Sequence, residues 1–196
     1  STAELLALET RVLQQCHDGL DAGAPATTQS SLFQALDARP SMSEEQRAAV
    51  GAIVMSGNSV DVVIAGPGTG KTFSLDAAKE AWQRSGHRVI GCALSAAAAH
   101  QLQSGSGIPS TTIAMLDIDL RRRHEWFDAN TVIVVDEAGM VGTRAIAPLI
   151  DQATIAGAKV VLVGDTKQLP EIDAGGLLRA LERQHPIVTL TENRRQ

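Results

Sequence analysis

Tyrosine is absent from the 196 residues, and three phenylalanines and two tryptophans are the whole aromatic complement. That absence excludes DNA nicking through a tyrosyl intermediate within this segment. With so few rings on which to stack bases, any single-strand binding should rest mainly on backbone contacts. An excess of positive charge is missing too: 17 Lys and Arg stand against 22 Asp and Glu, a net charge of −5. This argues against a broad basic face for duplex DNA, which needs clustered cations, but is compatible with a narrow groove for one strand. The apolar runs are broken by Gly, Asp or His before they reach membrane-spanning length, and no basic-then-apolar leader opens the sequence. Only Cys16 and Cys92 are available to pair, one in a helical segment and one in a strand-like one. A reducing cytoplasm, with no membrane association, is the expected setting.

What is present suits one α/β core, since 44% of the residues are apolar and the length is that of a large single domain. Leu5, Leu6, Leu8, Val12 and Leu13 fall at helical spacing and predict a helix over residues 1–20, with Ser1 and Glu4 as its capping box. Residues 21–31, rich in Ala, Gly, Thr and Pro, read as a linker, and a short helix over 32–38 should end before Pro40. Residues 1–40 are therefore expected to form a helical accessory segment or linker. Ser43 and Gln46 make a second capping box, heading a helix to about Ser56 that buries Val50, Ile53 and Val54. Five apolar runs then alternate with amphipathic stretches, at 61–65, 88–93, 131–135, 159–163 and 186–190. Near-continuous Val and Ile favour strands buried on both faces, hence a parallel sheet of about five strands flanked by helices. Ligands in such sheets sit at the carboxyl ends of the strands.

Chemistry-bearing residues lie at those ends. After the first run comes Ala65-Gly66-Pro67-Gly68-Thr69-Gly70-Lys71-Thr72, then an amphipathic helix, which is a Walker A loop with Ala65 in place of its first glycine. Glycines let the backbone N–H groups turn toward phosphate, Lys71 reaches the β- and γ-phosphates, and the Thr72 hydroxyl is offered to Mg²⁺. The third run ends in Asp136-Glu137. Two adjacent carboxylates at a buried strand end make sense beside a cation, with Asp136 holding the metal through water and Glu137 taking a proton from the attacking water. An ordinary helix start is the alternative for this pair. The fourth run leads through Gly164-Asp165 to Gln168, an amide placed to sense the γ-phosphate or orient water, although turn chemistry alone also explains Gly164 and Asp165. His87, His100 and His124 show no metal-ligand spacing. Arg121-Arg122-Arg123-His124 reads either as a solvated helix end or as a phosphate contact, with the first favoured.

Gln46, residues 65–72, Ser95, Thr111-Thr112, Asp136-Glu137, Gln168 and Glu192-Asn193-Arg194-Arg195 follow the order and approximate spacing of the superfamily-one helicase motifs. The stretch Gly164–Pro170 followed by Ile172–Gly176 resembles the RecD-like branch, and is most similar to the helicase part of conjugative relaxases. The resemblance covers residues 43–196. It implies a RecA-like motor domain over 41–196 that ends after the fourth motif. It implies adenine recognition by Gln46, which also fits a capping box. Arg195 would be the residue that projects onto the γ-phosphate, and Gln168 would be catalytic with Lys71 and Glu137. Ser95, Thr111 and Thr112 would contact the DNA backbone. The sequence departs from the family at Ala97, where a basic residue is common, and at Ala114, where many RecD-like enzymes carry His.

The resemblance thus implies an ATP hydrolase using Mg²⁺, translocating on single-stranded DNA, with a second RecA-like domain and a relaxase domain as partners in a longer protein. The segment alone is expected to hydrolyse ATP poorly. A RecD-like repair helicase, a P-loop kinase and a nucleotide-binding module without turnover are the alternatives.

Overall fold

The computed structural model describes residues 2–123, 126–167 and 176–192. Six parallel strands form one sheet: β1 (Val60–Ala65), β2 (Arg88–Ala93), β3 (Ser110–Thr112), β4 (Thr131–Val135), β5 (Lys159–Gly164) and β6 (Ile187–Leu190). Their spatial order is β3-β2-β4-β5-β1-β6. Every connection must therefore cross over, and helices fill the crossovers: α4 (Lys71–Arg84), α5 (Ala96–Ser106), α6 (Ile113–Arg121), α7 (Thr143–Ala156) and α8 (Leu177–Gln184), while α1 (Thr2–Asp18), α2 (Gln29–Asp37) and α3 (Glu44–Met55) precede β1.

Strand periodicity divides the core in two. Val132 and Val134 of β4, with Val161 and Val163 of β5, pack under α2 to α5, where Trp82, Leu75 and Val50 complete the layer. Ile133 and Val135, with Val160 and Leu162, face the opposite way toward α1, α6, α7 and α8. Successive side chains of one strand point to opposite faces, so both faces of these central strands must be apolar. Residues 1–40 enter both layers: α1 buries Val12 and Cys16, and α2 buries Leu32, Ala35 and Leu36. Arg39 fixes the end of α2 to α4, bonding Asp76 at 2.6 Å and Glu80 at 2.7 Å.

Four details differ from the sequence reading. The strand β3 is Ser-Thr-Thr, three residues with no hydrophobic period, and is specified by pairing with β2 at Cys92↔Thr111. Leu6 is 60% exposed, because it lies one residue off the stripe that buries Val12 and Cys16. The short helix α2 starts at Gln29 inside the expected linker, since Thr28 caps it by accepting from Ser31 N. The last strand begins at Ile187, one residue after Pro186, which has no N–H for the ladder. The Ser1 capping position lies outside the described residues. Both cysteines are buried and unpaired, and burial pushes each thiol pKa up to about 12.

Candidate nucleotide-binding site

The loop between β1 and α4 is shaped by its glycines. Gly68 and Gly70 take positive φ angles of 80° and 76°, a region that favours residues without Cβ. The Thr69 hydroxyl donates to Gly66 O at 2.9 Å and closes the loop. The helix α4 then starts at Lys71 with no side-chain cap. Its first-turn N–H groups and the positive end of its dipole are thus available to an anion.

Across the cleft, β4 delivers the acids. Asp136 N donates to Cys92 O at 2.9 Å, which extends the β2–β4 pairing to the last residue before the turn. Lys71 Nζ donates to Asp136 Oδ1 at 2.5 Å, and their side chains are 26% and 10% exposed. The same oxygen accepts from Glu137 N at 2.8 Å. Glu137 has φ 53° and ψ 33°, left-handed backbone at a non-glycine residue. Such a conformation costs about 1–3 kcal/mol and collects at functional sites. Although Glu137 precedes a 3₁₀ turn, Ala138–Met140, its side chain makes no capping bond and lines the cleft instead. The pair thus stands at the start of a short helical turn without capping it.

The third wall is the end of β5. A Cβ on Gly164 would lie 2.8 Å from Gly139 N, so only glycine lets β5 approach the turn after Glu137 this closely. Asp165 accepts from Lys167 N at 2.9 Å, the turn chemistry expected of Gly-Asp, and also lines the cleft. The cleft has a volume of about 560 Å³ and is bordered by Gly66, Pro67, Gly68, Gly70, Lys71, Thr72, Glu137 and Asp165. Among the described residues no cluster of three His, Cys, Asp or Glu could cage a metal ion. A hydroxyl at Thr72 and a carboxylate at Asp136 suit a cation that keeps water and takes phosphate oxygens as further ligands, which is how Mg²⁺ binds.

Gln46 stands behind the loop, 2% exposed. It completes the capping box, with Oε1 accepting from Ser43 N at 3.1 Å and its own N donating to Ser43 Oγ at 3.2 Å. The remaining end of the amide, Nε2, donates to Thr69 O at 3.1 Å. A Cβ on Gly70 would come within 2.1 Å of that nitrogen, so loop and amide are packed together.

Ser95, Thr111 and Thr112 lie along the same carboxyl edge, at the ends of β2 and β3, apart from the cleft. Ser95 Oγ accepts from Ala98 N and Thr112 Oγ1 from Met115 N, both at 3.1 Å, so both hydroxyls cap helices. A capping hydroxyl still has a proton to donate. Gln168, Arg194 and Arg195 lie outside the described residues, as does His124. Of the other histidines, the His87 ring meets Ala26 O and His100 is exposed beside Ser104. Arg121 pairs with Asp117 at 2.9 Å on an exposed helix end. Two residues were missed by sequence reasoning. Gln101 of α5 borders the cleft, and Glu45 bonds the chain just after β6. Nothing in the sequence separates Glu45 from Glu44, because the signal is a partner 146 positions away.

Comparison with known proteins gives a consistent picture. Residues 41–196 match the family described as an AAA domain. The conjugal transfer protein TraA of Agrobacterium fabrum is 36% identical over 181 residues, 92% of this chain and 16% of that protein. A probable conjugal transfer protein TraA of Sinorhizobium fredii is 41% identical over 140 residues, 71% of this chain and 13% of that protein. The ATP-dependent RecD2 DNA helicase of Deinococcus radiodurans is 34% identical over 163 residues, 81% of this chain and 22% of that protein. The chain thus spans less than a quarter of the length of each of these relatives.

Proposed function

The chain belongs to the AAA-domain family, in the RecD-like helicase branch near the conjugal transfer TraA proteins, and from that premise we propose that residues 41–196 are the ATP-binding motor domain of a single-stranded DNA translocase serving conjugative transfer. The observation that carries the reading is the convergence of Lys71, at the start of α4, with Asp136 and Glu137, at the end of β4, beside one cleft.

In this reading the loop N–H groups and Lys71 hold the phosphates. Thr72 and Asp136 hold Mg²⁺, which when bound neutralises phosphate charge. Glu137, its backbone turned toward the cleft, accepts a proton from the attacking water, a role worth about 10²–10⁴-fold in rate. Gln46 is assigned to adenine by the family resemblance, whereas here its buried amide holds the loop through Thr69 O; Gln168 and Arg195 would complete the γ-phosphate end. An arginine in that role contributes about 10³–10⁵-fold. Ser95, Thr111 and Thr112 form a line of hydroxyls along the carboxyl edge that would track the backbone of single-stranded DNA. Residues 1–40 act as an accessory helical segment packed on the motor. A second RecA-like domain and a relaxase domain in the full-length protein, in the cytoplasm, are the proposed partners. No described helix is long and apolar enough to cross a membrane.

The test is DNA-stimulated ATP hydrolysis by the full-length protein. Glu137→Gln should lower kcat by at least about 10²-fold with nucleotide affinity retained. Unchanged hydrolysis would instead favour a nucleotide-holding module that turns nothing over.

A further inference from the structure

Two glycines stand at the end of α5, and the helix terminus explains only one of them. Gly107 takes φ 67° and donates its N–H to Gln103 O at 2.8 Å, as left-handed C-caps do. Gly105 lies inside the helix and has no positive φ. Glycine in a helix interior is less favourable than alanine, and α5 opens with Ala96–Ala99. A neighbour, not the backbone conformation, is what excludes a side chain at Gly105.

That neighbour is Thr72, the second residue of α4. A Cβ on Gly105 would lie 2.2 Å from Thr72 Cγ2, 3.4 Å from Thr72 Cβ and 3.8 Å from Thr72 Oγ1. Gln101, one turn earlier on the same face of α5, borders the nucleotide cleft together with Thr72. Among the described residues none hydrogen-bonds the Thr72 hydroxyl, so packing on its methyl is what sets χ1. Methyl and hydroxyl share one Cβ, and a rotation that moves the first moves the second.

The two helices are held at this crossing. Lys79 Nζ, further along α4, donates to Ser106 O at 2.9 Å and ties down the end of α5. On the other side Leu102 and Ile108 are buried against β2, where a Cβ on Gly91 would come within 2.8 Å of Leu102 Cδ2 and 3.1 Å of Ile108 Cγ2. With close packing on both sides of α5, the Thr72 side chain is the part that would turn. We propose that Gly105 is a positioning residue for the metal site: by leaving room for the Thr72 methyl, it fixes the rotamer that offers the Thr72 hydroxyl to Mg²⁺. The proposal rests on the motor-domain reading, in which Thr72 and Asp136 hold the metal.

The test is a Mg²⁺ titration of the full-length protein with a fluorescent ATP analogue, comparing wild type with Gly105→Ala, Thr72→Ser and Gly105→Ala/Thr72→Ser. In EDTA, where the loop N–H groups and Lys71 act alone, Gly105→Ala should bind the analogue as wild type does, which also shows that it is folded. The Mg²⁺ concentration at half of the metal-dependent gain in affinity should rise by about 10- to 100-fold, the effect of losing a group that orients a metal ligand. Thr72→Ser deletes Cγ2 and keeps a hydroxyl, so the added Cβ would meet only the contacts at 3.4 and 3.8 Å, close to ordinary van der Waals distances. The double variant should therefore return to the Mg²⁺ midpoint of Thr72→Ser alone, a rescue that a general loss of stability would not show. A Gly105→Ala midpoint equal to that of wild type, or a double variant no better than Gly105→Ala, would overturn the proposal. If Gly105→Ala fails to fold, the double variant decides: the Thr72→Ser midpoint upholds the proposal, and a raised midpoint or a second failure to fold overturns it. A wild type whose affinity is indifferent to Mg²⁺ would remove the metal from the motor reading and the positioning role with it. A Mg²⁺ gain in wild type that Gly105→Ala keeps in full would sink the positioning role alone.

Discussion

Lys71 Nζ and Asp136 Oδ1 lie 2.5 Å apart across the cleft, so the lysine of the phosphate loop is held by the acid at the end of β4. A phosphate that recruits Lys71 must compete with this carboxylate, while a cation that recruits Asp136 releases the lysine. Asp136→Asn should therefore bind an ATP analogue about threefold to tenfold more tightly than wild type in EDTA, the effect of removing one charge-assisted competitor. The advantage should vanish or reverse with Mg²⁺. Titrations with and without the metal decide it; no gain in EDTA would mean that the ion pair does not hold Lys71 back.

Glu137 occupies left-handed backbone that glycine adopts without penalty. Glu137→Gly should raise unfolding stability by about 1 kcal/mol and abolish hydrolysis. Urea denaturation alongside the ATPase assay checks both. A destabilised Glu137→Gly would mean that the contacts of the carboxylate outweigh the strain.

Lys159 is 0% exposed at the start of β5, bonding Asp61 Oδ2 at 2.7 Å and Ser56 O at 2.8 Å. Burial lowers its pKa and Asp61 opposes that shift. Removing the ammonium leaves Asp61 buried with only Ser56 Oγ and Asn58 Nδ2 as donors. Lys159→Ala should lose about 3–5 kcal/mol, whereas replacing both partners with apolar residues should lose less. Equal losses would show that packing rather than the stranded charge is responsible.

Burial pushes Asp76 and Glu80 upward, but the bonds and charge of Arg39, aided by Lys79 and Arg84, outweigh it, and both carboxyls sit below their ordinary values. A carboxyl whose folded pKa lies below its unfolded one stabilises the fold fully above the unfolded value. That contribution fades as pH falls through the folded value. Urea midpoints should therefore drop as pH is lowered below the ordinary carboxylate range, about 4, and Arg39→Ala should flatten that decline. An identical acid profile in Arg39→Ala would remove Arg39 as the cause.

The parts of this fold that were legible in the sequence are those whose information is local. The runs at Val60, Arg88, Thr131 and Lys159 became strands because continuous Val and Ile suit central positions buried on both faces. The loop Gly66–Thr72 and the pair Asp136-Glu137 were legible because spacing alone puts them after strands. Pairings across the chain were not. Ser110–Thr112 became a strand only because β2 offered a free edge. The bonds of Glu45 to Thr191, Lys159 to Asp61 and Gln46 to Thr69 depend on the strand order, which no local pattern encodes.

Every role assigned to the cleft depends on its binding a nucleoside triphosphate through Lys71. Equilibrium binding of a fluorescent ATP analogue with Mg²⁺ to the chain and to Lys71→Ala tests it most directly. Binding to the wild type should be saturable and should weaken at least about tenfold on loss of the charge-assisted phosphate contact. Equal affinity for both proteins would contradict it.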